Sequence, residues 1–466
     1  MSAADRYGKV TAGVLDLLVE ALGAENVLVG DDRKNYARDE APNTTAVMPD
    51  VVVRPDSAAL VSKVLRLANE RKIPVTPRGA GTGLSGGAVP IYGGIVLSVE
   101  RMNRVLEVDA ENFTATVEPG VVLSRLYEAA EKQGLYYPPY PGELTATIGG
   151  NVATNAGGMR AVKYGVTRNF LLGLEAVLPG GEVIETGGRF IKSSTAYDLT
   201  QLIAGSEGTL AVITRVVVKL MPTPGKRYVV LAPFNCLADA INTVPHILRQ
   251  SILPMGIEFI EKDVVQLVEQ FRGRETPIHN YEASLMIIIE AEGEEAATVV
   301  SNDIGGICVA HGAVDVFVAG GERAADLLTF REKAWPAIAQ GGHADMADVV
   351  VPRSRVAEFV QRARQASREL GITTFMVGHA GDGNVHVCPI VPEEPDANER
   401  MSAFFRRVFE LGVSMGGTIS GEHGIGYTKK PYIDIAVAGS KLELMRRIKV
   451  AFDPNGIMNP GKIFDT

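Results

Sequence analysis

Apolar positions between residues 51 and 222 fall in short runs broken by glycine, and few of the runs repeat with helical period. Asp50–Arg54 reads as a strand, Ser57–Arg71 as an amphipathic helix and Pro74–Arg78 as a second strand. Gly94–Val99, Val105–Asp109 and Phe113–Glu118 follow as strands, the last two joined by a tight turn. Val121–Gln133 has helical spacing and stops at Gly134, a residue suited to closing a helix. Leu174–Leu178 and Glu182–Glu185 flank Pro179-Gly180-Gly181 as a hairpin, and Gly208–Leu220 is a β-branched run ending at Pro222. From Gly134 to Gly158 no element is evident, and a structureless stretch of roughly twenty-five residues is unusual in a compact domain unless a ligand orders it.

Beyond Pro222-Thr-Pro-Gly-Lys226 the pattern changes to short strands alternating with helices. Strands are expected at Tyr228–Pro233, Leu285–Glu290, Val314–Val318 and Val349–Val351. Helices are expected at Leu237–Gln250, Glu294–Ile307, Glu322–Ala339 and Arg355–Leu370. This grammar suits an antiparallel sheet covered on one face by helices. The expected class is α+β, with a first domain over 1–222, a second over 223–430, and a C-terminal segment, 431–466, returning to the first.

Composition narrows the function. The 466 residues are 46% hydrophobic and 22% charged, an ordinary balance for folded domains. A net charge of -9 opposes phosphate-tracking contact with nucleic acid. Cys236, Cys308 and Cys388 are too widely spaced for a disulfide framework or an iron–sulfur ligand set. The N-terminus lacks a signal-peptide pattern and no apolar run is long enough to span a bilayer. A cytoplasmic protein is expected, at most peripheral to a membrane through a partner.

Two glycine-rich loops carry the first chemical signal. Pro77-Arg-Gly-Ala-Gly-Thr-Gly-Leu-Ser-Gly-Gly87 follows a strand, and backbone N–H groups of such a loop can converge on a pyrophosphate. It contains a GxGxxG match, but Pro90 and the next strand leave no room for the helix a nicotinamide Rossmann unit requires. A second loop, Pro141–Gly158, is equally rich in small residues. Together they suit a large, folded-over cofactor.

Histidine placement carries the second signal. Asp382-Gly383 between apolar runs marks a hairpin, and a two-residue turn there would place His379 directly opposite His386. Opposed side chains, with Cβ atoms roughly 5 Å apart, can share one metal. Glu422, in Gly421-Glu-His-Gly424, is a candidate carboxylate ligand, leaving His423 for proton transfer. Arg331, by composition alone, reads as a solvated helix residue.

These motifs, with Gly149–Gly158, Lys163-Tyr-Gly165 and Gly205-Ser-Glu-Gly-Thr-Leu-Ala-Val-Ile213, resemble those of the vanillyl-alcohol-oxidase-type FAD flavoproteins. Within that group the chain is similar to the D-lactate, glycolate and D-2-hydroxyglutarate dehydrogenases. The resemblance implies a two-part FAD-binding domain with an α+β cap. It implies FAD contacts at Pro77, Arg78, Gly79, Ala80, Gly81, Thr82, Gly83, Pro141, Gly142, Thr147, Gly150, Asn151, Thr154, Asn155, Gly157 and Gly158. Further contacts are implied at Tyr164, Gly165, Glu207, Gly208, Leu210, Ile213 and Asn459. Some relatives attach the flavin through an N-terminal histidine; here no histidine precedes His246, so the flavin is expected to be non-covalent.

His379, His386 and Glu422 carry over as ligands of a divalent metal, usually zinc. His423 carries over as the base and Arg331 as the carboxylate-binding residue. Two positions depart from the hydroxyglutarate-type pattern: Cys388 stands where some relatives have an amide, and Met346 where they have a lysine. The expected substrate is therefore D-lactate or glycolate, with D-2-hydroxyglutarate, or flavin-independent metal-dependent hydrolysis, as alternatives. Electrons would pass to an external acceptor: an electron-transferring flavoprotein or a quinone-linked or iron–sulfur subunit. A second copy of the chain is a further candidate partner.

Overall fold

The computed structural model describes residues 6–392 and 394–465, which form two compact units. The first comprises residues up to Ala156, Val166–Thr223 and Glu422 onward; the second comprises Gly157–Gly165 and Pro224–Gly421. The chain thus returns at Glu422, earlier than residue 431, and a short insert from the N-terminal half packs with the second unit.

In the first unit, strands Val51–Val53, Ile95–Ser98 and Val75–Arg78 run parallel, and Val27–Leu28 pairs antiparallel at the edge. Helix Ala58–Arg71 is the crossover from Val51–Val53 to Val75–Arg78, the two strands that flank Ile95–Ser98. Val51, Val53, Leu65, Val75, Ile95 and Leu97 are buried in one core with Ile457 and Met458 from the C-terminal segment. A second sheet is antiparallel, in the order Val105–Asp109, Thr114–Val117, Val212–Lys219, Leu171–Val177, Val183–Gly187. As expected, residues 79–94 form turns between two strands and open no helix. The stretch after Gly134 differs from expectation: it holds a short strand, Leu135–Tyr136, and a helix, Ile148–Thr154. Thr147 caps that helix by accepting from Gly150 N at 3.4 Å, while Ile148 and Val152 are buried.

The second unit is built on an antiparallel sheet ordered Phe317–Gly320, Lys226–Phe234, Ala283–Ala291, Gly256–Glu261, Thr373–His379, Asn384–Val391, with His343–Ala344 and Ala347–Val350 both pairing the last. Helices Lys262–Arg272, Gly321–Glu332 and Ala334–Ala339 contribute to a core with Val229, Leu231, Ile260, Met286 and Val377. The intervening Val230, Ala232, Leu285 and Ile287 are buried as well. Successive strand residues point to opposite faces, so the sheet is covered on both faces, not one. Helices Leu237–Leu248, Glu294–Ala310 and Val356–Glu369 pack against the same strands. The unbroken apolar run Leu285–Ile289 is the sequence mark of a doubly buried strand.

Candidate functional site

The first unit brings the small-residue segments together through backbone. A Cβ on Gly79 would lie 2.2 Å from Thr147 Oγ1, so the first loop sits hard against the cap of helix Ile148–Thr154. Pro77 lies against Gly208, where a Cβ would come within 3.1 Å of the proline ring. Arg78 is buried and donates to the carbonyls of Arg38 (2.9 Å) and Asn35 (3.1 Å). Beside it a cavity of about 390 Å³ is lined by Arg78, Gly79, Ala80, Gly120, Arg125 and Thr147 among others.

Asn459 Nδ2 donates to Gly87 O (2.9 Å) and Glu207 O (2.7 Å), joining the C-terminal segment to two loops. Its buried Oδ1 has no partner among the described residues. Glu207 accepts from Ile425 N (2.8 Å) and Gly426 N (2.7 Å); burial raises its carboxyl above the ordinary value, and these two N–H groups oppose that shift. Leu210 and Ile213 are buried, and Gly81 and Gly83 lie in the loop with Thr82, Gly81 at φ +79°. An exposed-backbone loop, a capped helix end and an orphaned amide oxygen form a fitting cradle for a dinucleotide.

Further cofactor candidates lie on the turn before helix Ile148–Thr154, on the helix itself and on the insert. Gly142 has open space around it, and Pro141 precedes it in the same turn. Asn151 and Thr154 lie on the short helix; Asn155, at its C-cap, accepts from Arg168 N at 3.0 Å. Gly157, Gly158, Tyr164 and Gly165 belong to the insert packed with the second unit. There the Tyr164 hydroxyl donates to Glu290 Oε2 at 2.6 Å, and Lys163 Nζ donates to the same oxygen at 2.8 Å.

The return loop is anchored to the first glycine loop. Ser85 Oγ donates to His423 O at 2.7 Å, and Ser85 O accepts from Tyr427 N (2.8 Å) and Thr428 N (3.1 Å). The anchor holds His423 by its main chain and leaves the imidazole out of the bond. His423 Nε2 lies 3.8 Å from Glu422 Oε1.

In the second unit the hairpin register differs from the two-residue-turn expectation. His379 pairs with Asn384, and His386 with Val377. The loop is wider, so the histidines are diagonal neighbours rather than opposed. The slip is an even number of residues, which leaves both rings on one face. Their Nε2 atoms are 3.3 Å apart and both side chains are buried.

Two buried acids stand behind this pair, and the sequence reading named neither. Glu258, on strand Gly256–Glu261, is opposite His379 in register and approaches its Nδ1 at 2.7 and 2.9 Å. Asp348 is opposite His386 in register, with Oδ1 3.8 Å from its Nδ1. Asp348 also accepts from Asn384 Nδ2 (2.7 Å), Ser420 Oγ (2.9 Å) and Gly421 N (2.9 Å). Gly421, immediately before Glu422, is thereby fixed to the sheet that bears His386. An acid inside the apolar run Met255–Ile260 was the available signal for Glu258.

Arg331, on helix Gly321–Glu332, is buried, with Nη2 2.8 Å from Glu258 Oε2 but off-axis for a hydrogen bond. Its Nε has no acceptor among the described residues. Burial pushes the Glu258 carboxyl upward, but His379 and then Arg331 outweigh it and hold the group below its ordinary value. Cys388 and Met346 belong to the apolar cluster with Phe330 and Ile338, and burial pushes the Cys388 thiol well above its usual range. Converging imidazole nitrogens backed by acids fit a divalent cation.

Among the described residues no helix is long and apolar enough to cross a membrane. Residues 49–187 match the FAD binding domain family, and residues 223–463 match the C-terminal domain of FAD linked oxidases. The chain is 39% identical to a D-lactate dehydrogenase of Anaerostipes hadrus, over 98% of both chains. It is 38% identical to the glycolate oxidase subunit GlcD of Bacillus subtilis, over 98% of this chain and 97% of that one. A solved structure of p-cresol methylhydroxylase with substrate bound is 19% identical and superposes with a TM-score of 0.81 over 98% of each chain. That likeness shows the fold, which is of the vanillyl-alcohol-oxidase type. With the two family matches spanning both units, the chain belongs to the FAD-linked oxidases and is an FAD-dependent oxidoreductase.

Proposed function

We propose that the protein oxidises a small D-2-hydroxy acid, D-lactate or glycolate, to the 2-oxo acid, with non-covalent FAD and a divalent metal. The observation that carries this reading is the buried His379–His386 pair beside Arg331, whose buried Nε has no acceptor among the described residues. The names of the relatives, D-lactate dehydrogenase and glycolate oxidase subunit, support it.

His379, His386 and Glu422 would hold the metal, and the loops at 77–83 and 147–158, with Glu207–Ile213 and Asn459, would hold FAD. When bound, the flavin supplies a two-electron acceptor and the metal a Lewis acid that acidifies a hydroxyl. Arg331 receives the substrate carboxylate through its uncommitted N–H. A buried guanidinium favours a carboxylate, because an apolar group would leave the donor unsatisfied and a neutral acceptor forgoes the charge-assisted bond. His423 takes the hydroxyl proton at a ring nitrogen, a role suited to an imidazole near neutral pH. The thiol of Cys388 and the thioether of Met346, packed among apolar neighbours, offer nothing to a second carboxylate, which favours lactate or glycolate over hydroxyglutarate. With three cysteines, all free, no cluster is built into the chain, so electrons leave to an external acceptor.

Anaerobic mixing of the flavin-loaded protein with single 2-hydroxy acids tests this. D-lactate or glycolate should bleach the flavin band, L-lactate should not, and D-2-hydroxyglutarate should act more slowly. Failure of every 2-hydroxy acid to reduce the flavin rejects the activity.

A further inference from the structure

Behind the candidate metal pair one buried carboxylate touches two groups with different tasks. Glu258 is fully buried, its Oε1 is 2.7 Å from His379 Nδ1, and its Oε2 is 2.9 Å from the same nitrogen and 2.8 Å from Arg331 Nη2. We propose that Glu258 is a positioning residue that couples cation binding at His379 to carboxylate recognition at Arg331.

The argument runs through hydrogen-bond chemistry. A carboxylate can only accept, so Nδ1 of His379 carries a proton, and in the neutral imidazole that a metal requires Nε2 then holds the lone pair. That lone pair is the one directed at the His386 Nε2, 3.3 Å away. The strand register sets the ring in place, since Glu258 and His379 are paired residues on adjacent strands. The same carboxylate opposes the charge of Arg331, so the arginine in isolation is a half-neutralised cation. Drawing Glu258 toward His379, as a cation on Nε2 would by making Nδ1–H more acidic, releases Arg331 for an incoming anion. Cation and substrate carboxylate should then each tighten the other, and the coupling must be reciprocal.

The exchange of Glu258 for glutamine is diagnostic because an amide has one acceptor and one donor end. Glu258→Gln removes the charge and leaves one acceptor oxygen where there were two, so His379 and Arg331 must share that neutral oxygen or one of them must face the amide N–H. The aspartate variant keeps the charge and shortens the reach.

This inference rests on the proposed metal site, and the test separates the two. Metal-stripped, FAD-loaded protein is titrated with Zn²⁺ by calorimetry, without and with oxalate as a substrate-like dianion. Wild type should bind one Zn²⁺, more tightly with oxalate present. E258Q should lose about 10–100-fold in Zn²⁺ affinity, the usual cost of removing such a supporting carboxylate, while keeping its FAD. Oxalate should no longer tighten Zn²⁺ binding in E258Q, and E258D should recover part of both. With saturating Zn²⁺, E258Q should retain a raised KM for D-lactate with a smaller change in kcat. If E258Q does not fold, R331M decides: it should abolish the oxalate effect and raise Zn²⁺ affinity, as Glu258 is freed for His379. Wild type failing to bind Zn²⁺ overturns the metal reading itself. Wild-type binding with unchanged Zn²⁺ affinity and unchanged oxalate coupling in E258Q, or in R331M, overturns only the role of Glu258.

Discussion

The two units of this protein build their sites in opposite ways. In the first, the cradle is made of backbone: glycines at 79–87 and 205–208, a capped helix end, and Asn459 tying loop carbonyls together. In the second, the site is made of side chains on neighbouring strands, with Glu258, His379, His386 and Asp348 assembled by sheet register. A backbone site tolerates most substitutions but not added volume. A side-chain site tolerates neighbouring volume but not the loss of one functional group. That difference says where each unit should break.

The largest effect is expected from losing a functional group. Removing the His423 imidazole should lower the rate of flavin reduction by about 10²–10⁴-fold, the usual range for a general base. The flavin should stay bound, because Ser85 holds His423 by its main-chain carbonyl. Stopped-flow reduction of H423A by D-lactate measures this; reduction at the wild-type rate would remove His423 from the reaction.

Added volume in the cradle comes next. An alanine at Gly79 would drive its Cβ to 2.2 Å from Thr147 Oγ1, dislodging the residue that caps helix Ile148–Thr154. Overpacking of this kind costs about 1–3 kcal/mol, so FAD affinity should fall about 5–150-fold. The ratio of flavin to protein absorbance after gel filtration of G79A reports it. Zn²⁺ binding should be untouched, and a parallel loss of both ligands would show that the two sites do not break separately.

The smallest effect isolates a histidine–acid pair that has no second task. His279 Nδ1 meets the buried Glu269, which raises the histidine above its ordinary value of 6.5, the hydrogen bond to Glu269 being the main cause. The folded-state value lies above the unfolded one, so this stabilisation is complete below about pH 6.5 and is lost as pH rises through the folded value. Wild type should therefore exceed H279N in thermal midpoint by more at pH 6 than at pH 9. A gap independent of pH would mean that the pair contributes only shape. Unlike E258Q, H279N should leave Zn²⁺ and FAD affinities alone.

The first glycine loop was legible because its role is conformational. Small residues clustered after a strand, with Pro90 forbidding a helix, already exclude a nicotinamide fold. The helix Ile148–Thr154 was not legible: Gly149 and Gly150 lower its propensity, and it forms because Ile148 and Val152 are buried and Gly149 lies against Pro119. The strand Gly256–Glu261 was missed for a related reason. Its two acids break the apolar run that would mark it, and they are tolerated inside only because Arg331 and His379 meet one and Arg364 the other.

The sequence by itself determined which residue types were on hand: loops bare enough for a pyrophosphate, two histidines within one hairpin, and an acid–histidine doublet after a glycine. A register slip of two residues leaves each side chain on its face, where a slip of one would have reversed it, which is why the histidine pair survived the difference in register. Only the tertiary structure decided who stands behind them. Glu258 and Asp348 reach the histidines across strands distant in sequence, and a charge is stable there only once its partners have arrived, so the local sequence could mark Glu258 as an acid in an apolar run but not name the histidine it meets.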